Sequence, residues 1–310
     1  MDIAPLCRAA YRIAPGPVRA RLRVRRPPSV QQFGVTMPGG ERALIWGLDQ
    51  AAFVKDLFWL GFEGCNPEFT RVFYALAKGA SGIIDLGSYL GYFSLVAALA
   101  NRSARVYSVE PLPESVAYQT ELFRRNHADV RICPVGVADF TGRTSFYVPD
   151  RSVSRIPNIG SLVNRFGAGT HYADRGSREI EAEILTLPDL CSRFAIERVD
   201  LIKFFIEEVE TKVFTAGESV LRRWQPDLLG WVFYRGDNVE RLGAVLSELG
   251  YSFFAFRGQS LVACPTLPDA RTLGDVHGVQ RGGRSAVFAT TKPDLRMAEL
   301  SRAVPGVRPA

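Results

Sequence analysis

The run Asp85-Leu86-Gly87-Ser88-Tyr89-Leu90-Gly91 sets a carboxylate just before two spaced glycines, directly after an apolar stretch. Its D-x-G-x-x-x-G spacing is not the G-x-G-x-x-G of a dinucleotide pyrophosphate loop. A pyrophosphate needs several free N–H groups at a helix N-terminus. A carboxylate beside a glycine turn suits a ligand that carries a cation and an amino-acid tail and comes close to the backbone. Glu110 closes the next apolar run, about 25 positions on. An acid there can accept both hydroxyls of a ribose. Gly136 and Val137 end the third run and are small enough to flank an adenine. Taken singly, Asp85 reads equally well as a helix cap and Glu110 as a rim acid. Taken in succession at three strand ends, they favour binding of S-adenosylmethionine, with Tyr89 and Pro111 as neighbours in the same two turns.

A second constellation follows in Leu201-Ile202-Lys203-Phe204-Phe205-Ile206-Glu207-Glu208-Val209-Glu210. Methyl transfer from a sulfonium is an in-line displacement, so the protein mainly aligns an oxygen with the methyl carbon. An aliphatic hydroxyl must also lose its proton, which calls for a nearby base. Candidates are Glu207, Glu210, His127, His171 and His277. Three acids opening a helix also complement its macrodipole with no catalytic reason at all. His171 falls in a long polar segment that can cover a site, whereas His127 closes a helix, where a cation suits the dipole. Phe205, Trp231 and Tyr234 sit at neighbouring strand ends. They read either as an aromatic wall for an apolar acceptor and a sulfonium, or as core packing.

The elements that position these residues follow from periodicity. The spacing predicts a short strand at ALIWGL, helices over DQAAFVKDLFWLGF and NPEFTRVFYALAKG, and then alternating strands and helices from SGIIDLG to VRICPVGV. Such alternation implies a parallel sheet built by right-handed crossovers. GRTSFYVPD resembles one arm of a hairpin, residues 151–177 are polar and glycine-rich, and REIEAEILTL restores an alternating strand. A structureless segment of that length in a compact domain is a lid, a binding loop or disordered. The α/β rhythm resumes with VDLIKFF, a helix to about Trp224, PDLLGWVF, NVERLGAVLSELG, YSFFAF and SAVFATT, with another loop over 265–282. About seven strands with helices between them predict one doubly wound α/β domain over residues 46–300. It is flanked by a basic N-terminal extension (1–45) and a C-terminal tail (301–310).

At 310 residues and 47% hydrophobic content the chain can bury one full core. Its formal charge of +6 is concentrated in the arginines of RARLRVRRPP. That segment reads as a solvated terminus first, and as a weak peripheral membrane contact second. No basic stripe interleaved with aromatics continues into the domain, so nucleic acid is not expected. Five scattered cysteines without a C-x-x-C argue against a disulfide framework or a zinc site and for a reducing, cytoplasmic setting. No long uninterrupted apolar run predicts a membrane span. No residue pattern predicts a metal, and a homodimer stays open.

IIDLGSYLGYFS, YSVEPLPES and VDLIKFFIEEVE followed by VLRRWQP resemble, in that order, the FkbM-type S-adenosylmethionine-dependent methyltransferases, over roughly residues 45–290. The resemblance implies a Rossmann-like seven-stranded class I sheet with helices on both faces, here preceded by an N-terminal helical, basic extension. It also implies a cofactor at Asp85, Gly87, Gly91 and Glu110, and O-methylation of a hydroxyl, often in natural-product or glycan biosynthesis. Four departures stand out. Tyr89 replaces the usual Asn, Phe205 the strand-ending Asp, Glu208 the Gly of V-E-G, and Gly230-Trp231 the Glu-Val-like pair that often ends the fifth strand. The retained residues include Lys203, Glu207 and Glu210.

Three functions therefore compete. The first is an O-methyltransferase acting on a small-molecule hydroxyl. The second is a catalytically degenerate module of the same fold with a binding or partner role. The third is a nicotinamide oxidoreductase, which the glycine spacing disfavours.

Overall fold

Residues 3–24, 30–64, 66–150, 155–157, 160–162, 176–206, 209–234, 237–275, 283–304 and 307 are described by a computed structural model. The chain begins with two short helices, α1 (Ala4–Ile13) and α2 (Gly16–Val24), followed by an antiparallel hairpin of β1 (Gln32–Thr36) and β2 (Arg42–Trp46). These elements are docked, although the sequence places most of them in a basic extension. Ala4, Tyr11, Phe33, Val35 and Ile45 are buried in the main core. The Arg8 guanidinium donates to Leu57 O (3.0 Å), Phe58 O (2.7 Å) and Gly34 O (2.9 Å). It thereby caps α3 (Ala52–Leu60), whose last carbonyls have no partner within the helix.

Next come α4 (Pro67–Gly79), β3 (Gly82–Leu86), α5 (Tyr92–Ala100), β4 (Arg105–Val109), α6 (Pro113–Arg125) and β5 (Val130–Cys133). Proline opens α4 and α6, where its missing N–H is not needed. All five residues of β3 are buried, as expected of a parallel strand covered on both faces. Short β6 (Gly136–Val137) pairs with β8 (Arg178–Leu185), which pairs antiparallel with β7 (Gly142–Val148) in a separate three-stranded sheet. The hairpin arm expected at 142–150 thus finds its partner across the long intervening segment.

The second half comprises α7 (Leu187–Arg193), β9 (Leu201–Phe204), α8 (Glu210–Ala216), α9 (Glu218–Trp224), β10 (Asp227–Phe233), α10 (Asn238–Glu248), β11 (Ser252–Arg257), β12 (Ser260–Cys264), α11 (Ala270–Leu273), β13 (Arg284–Thr290) and α12 (Pro293–Ala303). The sequence shows one helix up to Trp224; the structure breaks it at Gly217.

The main sheet runs β12-β11-β13-β10-β9-β3-β4-β5, parallel from β10 to β5 and antiparallel beyond. It has eight strands where seven are expected. The extra edge strand, β12, folds back on β11 through a two-residue turn at Gly258-Gln259. Chain order reverses between β3 and β9, and crevices for ligands open at such a switch point. Separate apolar cores cover the two faces. No helix among the described residues is long and apolar enough to cross a membrane.

Candidate functional site

A cavity of about 320 Å³ lies beyond the carboxyl ends of β3, β4 and β9. The small sheet walls it through Val137, Phe146 and Ile184, and Phe53 of α3 closes another side. Of the residues singled out from the sequence, Gly87, Tyr89, Glu110, Pro111, Gly136, Val137 and Phe205 line it.

Glu110 stands at the end of β4 and is 8% exposed. Its Oε2 accepts from Tyr89 N (2.9 Å) and its Oε1 from Leu112 N (3.0 Å). Each oxygen is thereby fixed and keeps a further lone pair. Burial pushes its carboxyl up to about 7, against the opposing pull of those two N–H bonds and of the Lys203 charge.

The turn after β3 is tight because two chain segments meet there. Gly87 has φ +67°, and a Cβ on it would lie 2.2 Å from Phe205 O at the end of β9. Tyr89 follows with φ +53°, a left-handed conformation that costs an L side chain roughly 1–2 kcal/mol. Asn, usual in the resembling family, adopts this conformation more readily. Tyr89 is held in it by three bonds. Its N–H goes to Glu110, its carbonyl accepts from Gln119 Nε2 (2.6 Å), and its hydroxyl donates to Ile156 O (2.7 Å). That last bond ties residues 155–157 to the site, where Pro157 lines the cavity.

Asp85 does not face the cavity, although its position suggested a partner for a ligand's cation. It is fully buried, its Oδ1 lies 2.9 Å from Lys203 Nζ, and its Oδ2 accepts from Ser94 Oγ (2.8 Å). The cation it meets belongs to the chain. Lys203, on β9, lines the cavity and also donates to Gly87 O (3.0 Å), bracing the turn. Gly91 likewise does not line the cavity. It caps α5 with φ +75°, and a Cβ there would strike the Phe123 ring of α6 at 2.7 Å.

Phe204 and Phe205, adjacent in sequence, separate to opposite faces as strand geometry requires. Phe204 packs edge-on against Phe214 of α8, and Phe205 lines the cavity. Trp231 stands behind Phe205 at a centroid distance of 6.1 Å and is stacked on Phe69. The Arg284 guanidinium lies 5.1 Å from both the Phe205 and Trp231 rings and 5.7 Å from Phe233. The cation of this aromatic wall is therefore a residue of the chain. Tyr234 packs in the opposite core beneath Arg271 and does not line the cavity.

Of the candidate bases, Glu210 opens α8 fully buried, off the cavity, and accepts from Asn238 Nδ2 (3.3 Å). Its neighbour Thr211 donates to Asn238 O, so these residues join α8 to α10. His127 sits in a left-handed turn after α6, off the cavity. Glu207, His171 and His277 lie outside the described residues.

Sequence reasoning missed a buried polar chain beneath the turn. Ser94 and Ser108 hydroxyls meet at 2.9 Å, Ser108 donates to Gln119 Oε1 (2.9 Å), and Gln119 Nε2 donates to Ser88 Oγ (2.9 Å). A signal existed. Gln119 shares the buried face of α6 with Ser115, Tyr118, Leu122 and Phe123, at helical spacing, and polar residues at core positions mark a network.

Residues 85–253 match the family model described as the methyltransferase FkbM domain. No curated protein sequence matches the chain. Among solved structures, the methyltransferase FkbM from Methylobacillus flagellatus is similar at 13% identity and a TM-score of 0.42, over 78% of this chain and 56% of its own. The chain thus spans little more than half the length of that protein. A SAM-dependent methyltransferase from Agrobacterium tumefaciens is similar at 11% identity and a TM-score of 0.42, over 86% of this chain and 72% of its own. An O-methyltransferase from Bacillus cereus in complex with SAH is similar at 11% identity and a TM-score of 0.38, over 74% and 81%.

Proposed function

The chain belongs to the FkbM methyltransferase family, and from that premise we propose that it transfers a methyl group from S-adenosylmethionine to a hydroxyl of a small-molecule acceptor, of natural-product or glycan type. The observation that carries this reading is Glu110, a buried carboxylate in the cavity wall with both oxygens oriented by backbone N–H groups. The residues present fit the cofactor. Glu110 has lone pairs for two vicinal hydroxyls, the Cβ-free turn at Gly87 admits an amino-acid tail, and Gly136 and Val137 offer a small apolar wall for adenine. Bound S-adenosylmethionine would supply an electrophilic methyl group. Lys203 holds the Gly87 carbonyl and hence the turn, while the apolar walls at Phe53, Phe146 and Phe205 exclude water from the crevice. The unpaired thiols of Cys7, Cys133, Cys191 and Cys264 support a cytoplasmic setting.

Proton removal is assigned to Glu207, which follows the strand-nine end by sequence. His171 is the second candidate, because Glu210 lies buried off the cavity against Asn238. Calorimetry with S-adenosylmethionine and mass detection of methylated acceptor test the reading. A folded protein that shows no binding at about millimolar cofactor overturns it. Glu207→Gln is expected to lower turnover by roughly 10²–10⁴-fold while leaving cofactor affinity within about twofold. An unchanged turnover number would place the base elsewhere.

One observation favours the second reading, a degenerate module. Phe205 lines the cavity where the family carries Asp, and Glu110 is the one carboxylate among the described lining residues. Cofactor binding without methyl transfer to any hydroxyl acceptor would favour it.

A further inference from the structure

Exposed aliphatic side chains gather at one end of this molecule. Of the six large apolar side chains exposed among the described residues, four fall in the first 18 positions: Ile3 (36%), Leu6 (72%), Ile13 (86%) and Val18 (44%). Ile3, Leu6 and Ile13, with exposed Ala10 between them, follow helical spacing and form one stripe along α1. The opposite side of the helix carries Ala4, Arg8 and Tyr11, which dock on the domain. The helix therefore has two apolar sides, and only one is covered. A solvated terminal helix has no need of the second.

Charge says what covers it. Residues 1–40 hold seven arginines and a single acid, Asp2, while the remainder balances 31 basic against 31 acidic residues. The whole net charge of +6 therefore belongs to this segment. Arg8 is committed to the α3 carbonyls, but Arg12, Arg19 and Arg21 are exposed on the same two helices, α1 and α2, that carry the exposed aliphatics. Arginines alone would suit a nucleic acid, and aliphatics alone a protein groove. Interleaved on short surface helices, they match the interfacial boundary of an anionic bilayer. There the stripe enters the acyl region and the guanidinium groups meet phosphate and carboxylate headgroups.

We propose that α1 and α2 form a reversible docking surface for anionic lipid membranes. Because α1 rests on α3, whose Phe53 lines the cavity, docking would place α1 between the bilayer and the helix that supplies one wall of the site. The inference uses none of the residues assigned to cofactor or chemistry, so its failure and that of the methyltransferase reading are separable.

Vesicle flotation with the full chain tests it, using phosphatidylcholine vesicles with and without phosphatidylserine. The expected result is phosphatidylserine-dependent flotation that weakens as salt rises. Leu6→Ser with Ile13→Ser should lower the partition coefficient at least about tenfold. Arg12→Gln with Arg19→Gln and Arg21→Gln should lower it by about a hundredfold, or roughly fivefold for each arginine. Both variants should retain wild-type thermal unfolding, since the altered side chains are exposed. Flotation that is absent, equal on the two vesicle types, or unchanged in the serine variant would overturn the proposal. So would preferential retention by a mixed-sequence oligonucleotide.

Discussion

The two halves of the cavity rest on different foundations. Beneath the turn from β3 to α5, the supporting side chains are polar and buried: Asp85, Ser88, Ser94, Ser108, Gln119 and Lys203. Beneath the ends of β9 and β10 they are aromatic, with Phe205, Trp231 and Phe233 stacked under Arg284. Hydrogen bonds are directional, and a buried donor or acceptor that loses its partner bears the full cost of desolvation. Ring packing varies more gradually with the shape of what replaces it. The half proposed to hold the cofactor is therefore fixed in position, and the half proposed to face the acceptor is fixed only in volume. The side chain at Phe205 can change without moving the turn that Glu110 and Lys203 hold.

Lys203→Met gives that contrast its hardest test. The substitution leaves Asp85 buried beside Ser94 with no cation, and breaking a buried pair this way costs about 3–5 kcal/mol. Urea unfolding at neutral pH should show a loss of that size. The double variant with Asp85→Asn should recover part of it, because no charge then remains to be compensated. A loss below about 1 kcal/mol would mean that the polar half is no more demanding than a surface ion pair.

Much of this architecture was legible in the sequence. β3 and α5 are announced by an apolar run, a glycine turn and a second apolar run, and β3, β4 and β9 are short and mostly buried, each with a polar residue within it. Register between distant segments was not. Nothing local says that β7 and β8 pair across residues 149–177, or that Asp85 and Lys203 meet across 118 positions. α7 escaped because seven residues carry too little periodicity; its Thr186 cap, accepting from Asp189 N, was the readable sign. α12 was counted partly as tail, yet Met297 and Leu300 anchor it in the core. At the site, residue types were legible and directions were not. Glu110 lines the cavity, while Asp85 and Glu210, equally acidic, turn to Lys203 and Asn238.

Glu110 supplies the next test, through pH. Folded, this carboxyl holds its proton until about pH 7, whereas its ordinary value is 4.5. The group therefore takes stability away as pH rises through that window, and a ligand donating hydroxyls to the carboxylate restores it. Affinity for S-adenosylmethionine should weaken as pH falls below about 7, approaching tenfold per unit where the ionised form is required. Calorimetry in buffers of different ionisation enthalpy should show proton release on binding near pH 6. Glu110→Ala should weaken binding more than about tenfold, or roughly 1.4 kcal/mol, and Glu110→Gln should flatten the pH dependence. A wild-type affinity in Glu110→Ala, or a pH profile that survives Glu110→Gln, would remove Glu110 from the cofactor half.

The smallest effect is expected on the aromatic side, and it decides whether the halves are separable. Phe205→Leu removes ring contacts with Trp231 and Phe233 and one of the three rings under Arg284, while keeping an apolar side chain in the wall. Stability should fall by about 1 kcal/mol. The bonds that join β9 to the turn run through the Phe205 N–H to Leu86 O and through Lys203 Nζ to Gly87 O, so none depends on the ring. Cofactor affinity should therefore stay within about twofold of wild type. The KM for a methyl acceptor should move several-fold, because the ring faces the cavity. If instead Phe205→Leu lowers cofactor affinity as far as Glu110→Ala does, the aromatic wall and the polar network act as one unit. Acceptor choice could then not be altered independently of cofactor binding.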